Sequence, residues 1–160
     1  MTEAINPVVY FLRYASPCSH ILCSVRSEVS KEEFDKIEQG AIKGEPLDKA
    51  YLEKVFFRAF NRISKIAEEL GKDKWDLEVI KEYFTVRHNP VLDATDYPNS
   101  FKEQCKVFVG TVKELLENNE AIVEYENKTT KKRRVKTLYV PDIKPGEKVR
   151  IHWSYIAERV

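Results

Sequence analysis

From Cys105 to the end of the chain, apolar side chains recur at every second position, whereas up to about Val86 they recur every three or four. A period near 3.6 belongs to amphipathic helices and a period of two to half-buried strands. One chain therefore carries two kinds of unit in series. The sequence predicts an α+β protein, with an all-helical domain and connector over 1–99 and a small β-barrel over 100–160.

The helical stretch has legible punctuation. Asn6-Pro7 opens the apolar run Val8 to Leu12 and predicts a short helix with Pro7 in its first turn. Ser16-Pro17 is expected to interrupt it, because the residue before proline is pushed out of the α region. Ser30 and Glu33 form a capping-box pattern. The helix they start carries Phe34 and Ile37 inward and is expected to end near Gly40. One long helix is expected from about Leu47 to Leu70, with Leu52, Val55, Phe56, Ala59, Phe60, Ile63, Ile66, Ala67 and Leu70 at helical spacing. Gly71 stands where a glycine cap belongs. Asp76 is placed to N-cap a shorter helix reaching Val86, with Leu77, Ile80, Tyr83 and Phe84 on one stripe. Residues 87–99, with two prolines and several Asn and Asp, read as a connector.

In the second stretch four strands are expected: 106–116, 121–126, 134–140 and 148–156. A turn at 117–120, a polar loop at 127–133 and a Pro-Gly turn at 144–147 would join them. Four short strands in under sixty residues leave edges that only closure hides, which argues for a barrel.

Charge and cysteine usage narrow the function classes. The formal net charge is +1. From Cys105 onward there are twelve Lys and Arg against eight Asp and Glu, a surplus well short of what a dedicated duplex-binding domain shows. Arg13 interrupts the apolar stretch Val8 to Ala15, which is too short for a membrane span and lacks a cationic lead-in. Three cysteines, Cys18, Cys23 and Cys105, favour reduced thiols in a cytoplasmic protein over a disulfide framework. Glycine-rich phosphate loops, nucleophile elbows and metalloprotease helices are all missing, so an enzyme is not expected.

The segment that opens the barrel reads Cys105-Lys-Val-Phe-Val-Gly110-Thr-Val112. It is followed by Ala121-Ile-Val-Glu-Tyr125, and then by Val140-Pro-Asp-Ile-Lys-Pro-Gly-Glu-Lys-Val149 with Ile151-His152. This last third of the chain resembles the HypC/HupF family of hydrogenase maturation chaperones, which have an OB-like barrel. The resemblance implies a non-enzymatic accessory protein in NiFe-hydrogenase maturation. Its protein partners would be the large-subunit precursor of hydrogenase or another maturation factor. Its transient cargo would be an Fe(CN)2CO group. Carried over, Cys105 is the partner-docking thiol and iron ligand, and His152 is the family's histidine beside it. A thiolate suits low-valent iron with strong-field ligands. The sequence departs from the family where Cys105 is internal rather than next to an initiator Met, where Val109 replaces a usual proline, and where Ser154 replaces a glycine. The motifs Phe11 to Ala15, Cys23 and His88 to Leu92 resemble those of an uncharacterised prokaryotic family associated with hydrogenase gene neighbourhoods.

Read without the resemblance, Cys105 is a small buried hydrophobe. Strand alternation puts His152 with Arg150 and Ser154 on an outward contact face, opposite Val149, Ile151 and Trp153. Cys18, His20 and Cys23 make a short soft-ligand cluster, but structural zinc wants a second matched pair and none follows. The basic run Lys128, Lys131, Lys132, Arg133 and Arg134 reads as a solvated loop. A nucleic-acid-binding module is the alternative function, with Lys131, Lys132, Arg133 and Arg134 tracking phosphates and Tyr125 and Tyr139 flanking them.

Overall fold

A computed structural model describes residues 5–160. The chain divides between Val91 and Leu92 into two compact units. Helices fill the first part of the chain, and a closed five-stranded β-barrel forms its C-terminal part.

In the helical unit α1 (Pro7–Ser24) is capped by Asn6, whose side chain accepts from the Val8 and Val9 amides. Contrary to the sequence expectation, α1 runs through Ser16-Pro17 without a break. A proline inside a helix removes one hydrogen bond and costs about 3 kcal/mol. Burial outweighs that cost, because α1 is buried nearly all round, Ser16 and Pro17 included. Phe11, fully buried at its centre, meets the rings of Phe56, Phe60, Trp75 and Phe84.

The capping box of Ser30 and Glu33 starts α2 (Lys31–Lys43) as expected. The helix ends at Gly44 in the left-handed conformation, not near Gly40. Gly40 has another task. A Cβ there would lie 3.1 Å from the Glu45 carbonyl and 3.3 Å from Leu12 Cδ1, so the missing side chain lets α2 approach α1.

The expected single helix over 47–70 is two, α3 (Lys49–Val55) and α4 (Phe57–Leu70), broken at Phe56 (φ −102°, ψ 44°). The break seats both Phe56 and Phe60 against Phe11, with ring centroids 5.3 and 5.0 Å away. Gly71 caps α4 at φ 64° as expected. Asp76 caps α5 (Leu77–Glu82), but the helix then widens into a π turn, Tyr83–Arg87. That wider turn puts Tyr83 and His88, five residues apart, on one side with ring centroids 5.8 Å apart. Such turns align residues i and i+5.

Part of the expected connector is also helical: α6 spans His88–Asp93 and α7 spans Asn99–Cys105. Among the described residues no helix is long and apolar enough to cross a membrane.

The barrel consists of β1 (Phe108–Leu116), β2 (Glu120–Asn127), β3 (Thr129–Lys136), β4 (Lys148–His152) and β5 (Tyr155–Arg159), in the order β1-β2-β3-β5-β4. All neighbours are antiparallel except β3 and β5, which pair in parallel at Lys136 and Tyr155. The interior holds Val112, Val123, Val135, Val149, Ile151 and Ile156, with Val140 and Ile143 from the β3–β4 connection.

Two strand expectations change. The polar stretch 127–133 is mostly strand: the chain reverses at Lys128 (φ 67°), and β3 then pairs along the whole of β2. The single last strand is two, folded back at Trp153 and Ser154.

β1 serves two neighbours, β4 from Phe108 to Thr111 and β2 from Gly110 to Leu116. The sharp curl this needs is made by a bulge between Val112 and Glu114 and by Gly110. A Cβ at Gly110 would stand 2.6 Å from Val123 Cγ1 and 2.7 Å from the Glu124 carbonyl. Gly110→Ala should therefore destabilise the barrel by about 1–3 kcal/mol, as overpacked sites do. Urea denaturation of the full chain in a Trp75→Phe background, which leaves Trp153 as the fluorophore, will measure it. An unchanged midpoint would show that β1 needs no such close approach.

Candidate functional site at Cys105 and His152

Cys105 is the last residue of α7, and Lys106 leaves the helix in an extended conformation (φ −64°, ψ 148°) toward β1. His152 is the last residue of β4. Because β1 and β4 pair antiparallel with Phe108 opposite Ile151, the segment before Phe108 and the segment after Ile151 meet. Cys105 Sγ lies 3.9 Å from His152 Nε2 across 47 residues of sequence. Cys105 is 7% exposed and His152 is 0% exposed.

The burial of His152 corrects the expectation of an outward face. Ile151 and His152 are both buried, so alternation stops at the strand end. Trp153 takes φ 53° and the chain turns back into β5. α7 lies over this turn: the Trp153 amide donates to the Gln104 carbonyl (2.9 Å), and the Trp153 ring meets Phe101 edge-on at 5.3 Å. The face that alternation assigns to solvent is thus covered by α7.

The four cations expected in a loop stand on β3 and differ from one another. Arg133 points inward and is 8% exposed. Its Nη1 donates to the Trp153 carbonyl (3.0 Å), and its Nη2 donates to the Glu103 carbonyl (3.2 Å) and Tyr125 Oη (3.0 Å). The guanidinium also sits 4.8 Å from the centre of the Tyr125 ring. Lys131 pairs with the Glu103 carboxylate at 2.5 Å. Arg134 reaches Glu120 at 3.8 Å, and Lys132 stands opposite Glu124 in the strand register. Tyr125 and Tyr139 are buried and offer no open stacking face.

Cys18, His20 and Cys23 lie on α1, each half-buried. Two residues of helix separate Cys18 and His20 by about 200° around the axis. His20 Nδ1 is also turned back onto the Pro17 carbonyl. α1 therefore does not gather the three into one site. None of the three cysteines of the chain is in a disulfide.

Sequence reasoning missed Glu103, and it assigned Arg133 to phosphate tracking and Trp153 to the inward face of the strand rather than to the surroundings of Cys105 and His152. The one available signal was period: Arg133 sits two residues before Val135, in phase with the buried face of β3. Glu103 gathers Lys131, Asn127 and Tyr125 on one oxygen, Oε1. The hydrogen bond from Lys131 is the largest influence that holds its carboxyl below the usual range, assisted by Asn127. A carboxyl lowered in the folded state stabilises the fold above its unfolded pKa, and that contribution is lost as pH falls through the folded value. Glu103→Gln should cost on the order of 1 kcal/mol at pH 7, and the gap from wild type should close as pH falls below about 4.5. Denaturation midpoints of both proteins between pH 7 and pH 3 test this; a gap independent of pH would show that the charge of Glu103 does not matter.

No protein-family model, curated protein or solved structure matches the chain.

Proposed function

We propose that the protein is a non-enzymatic accessory factor in metalloenzyme assembly, specifically in NiFe-hydrogenase maturation. In this reading its C-terminal barrel is OB-like, of the HypC/HupF type, and acts through protein–protein contact and carriage of an iron group. Cys105 and His152 are the contact and ligand pair. The observation that carries the reading is their 3.9 Å separation, reached between residues 47 positions apart in sequence. The two residues that resemble the family's functional pair stand side by side.

The donor set fits such cargo. Cys105 Sγ and His152 Nε2, 3.9 Å apart, would together offer one ion a thiolate and an imidazole. A soft thiolate suits iron carrying cyanide and carbon monoxide. Burial of both side chains keeps water from competing for the metal. In this role Cys105 supplies the thiolate, and His152 offers Nε2 from the rigid end of β4.

The nucleic-acid alternative is less well supported. Arg133 is spent on internal carbonyls, Lys131 and Arg134 face carboxylates, and Glu124 and Glu126 stand on the same sheet as Lys132. Carboxylates among the cations repel a phosphate backbone. Salt-sensitive binding of single-stranded RNA at low salt, lost when Lys132 and Arg134 are neutralised, would favour that alternative.

The primary test is infrared spectroscopy of the full chain purified anaerobically from a host expressing hydrogenase maturation genes. Bands of metal-bound cyanide and carbon monoxide are expected in wild type and should be missing from folded Cys105→Ala. Folded wild-type protein without those bands, from a host with active hydrogenase, would overturn iron carriage.

A further inference from the structure

The geometry points to Arg133 as the positioning residue that sets the separation of Cys105 and His152. The inference rests on those two side chains acting as a pair, and it adds a residue whose hydrogen bonds go to the backbone beside each of them. The two segments that carry the pair are 99–105 and 148–152; the β1–β4 register brings them side by side, and the contacts between α7 and the turn after β4 set the final spacing. Arg133 bridges both. One arm of its guanidinium donates to the Glu103 carbonyl, two residues before Cys105; the other donates to the Trp153 carbonyl, next to His152. The Trp153 amide closes the loop by donating to Gln104.

Two physical features separate this arrangement from ordinary packing. A buried charge is costly unless its donors are met, and a hydrophobe of similar volume often fills such a space at no loss of stability. Arg133 is 8% exposed, and its charge is met by two carbonyls, a phenol oxygen and the face of Tyr125. A planar fork can address two separate acceptors at fixed angles, which a lysine ammonium cannot. The second feature is Trp153, a bulky side chain at φ 53°. Such a conformation persists only where the surroundings over-determine it. Its amide is held by Gln104, its carbonyl by Arg133, and the next carbonyl, Ser154, accepts from the Lys136 amide at 2.7 Å. The turn that aims His152 is thus fixed on both sides, and on the side of the Trp153 carbonyl the group that holds it is the Arg133 side chain.

The test uses the full chain with nitrogen-15-labelled histidine. There are three histidines, and the His152 Nε2 resonance is assigned by its loss in His152→Gln. Cys105→Ala should displace that resonance, because it removes the sulfur 3.9 Å away. Arg133→Lys, shown to be folded by a cooperative melt, should displace it too, since lysine keeps the charge and loses the fork. Tyr125→Phe, which removes one of the two acceptors on Nη2, should give a smaller displacement and decides the matter if Arg133→Lys does not fold.

A resonance at the wild-type position in folded Arg133→Lys, or in Tyr125→Phe where the lysine variant does not fold, would overturn the positioning role and leave Arg133 as packing. A resonance that Cys105→Ala fails to move would overturn the pair itself, and the inference with it. Missing infrared bands in wild type, alongside the expected displacements, would overturn iron carriage while the positioning role stands.

Discussion

Closure of the barrel depends on one strand hydrogen-bonding along both of its edges. β1 pairs with β4 over its first half and with β2 over its second, sharing Gly110 and Thr111 between them. It can do so because the bulge near Val112 adds curl and because Gly110 leaves room for Val123. Closure abolishes most exposed strand edges. It also fixes the site. With Phe108 opposite Ile151 in an antiparallel pair, whatever precedes β1 must lie beside whatever follows β4. Cys105 and His152 are those neighbours, so their proximity follows from register rather than from any attraction between thiol and imidazole.

Features set by local chemistry were legible in the sequence, and features set by distant contacts were not. The capping box at Ser30, the Asp76 cap and the Gly71 terminus each need only a few adjacent residues, and each stands where expected. Pro17, Gly40 and Phe56 were misread for a common reason. Local rules make Pro17 a breaker, Gly40 a terminus and Phe56 a mid-helix residue. Burial keeps Pro17 helical, the close approach of Leu12 on α1 explains Gly40, and packing on Phe11 accompanies the turn of the chain at Phe56. The residue-level rule was sound in each case and was outweighed by packing.

The barrel was legible as a period of two, and its cationic stretch was not. A run of lysines and arginines lowers strand propensity, which favours a loop. The compensation lies on β2, where Glu120, Ile122, Glu124 and Glu126 present two-residue alternation to β3. Opposite charges across a pair of strands stabilise it. That pairing becomes visible only when the register is known. The site was legible to a similar degree. Cys105 and His152 were marked by resemblance to a family pattern, while alternation alone turned His152 outward, because it has no way of knowing that α7 covers the strand end.

Trp153 shows why the covering helix and the hairpin cannot be separated. A glycine at φ 53° would turn the chain without strain, yet it would offer nothing to α7. The tryptophan accepts an unfavourable backbone conformation and gains an aromatic contact with Phe101, which in turn packs against Tyr97 at 5.0 Å. Its backbone is held at the same time by Gln104 and Arg133. A shift of α7 would therefore loosen the turn, and a relaxed turn would release α7. Cys105 stands on one of these elements and His152 on the other, so the distance between them is a property of the coupled pair rather than of either element alone.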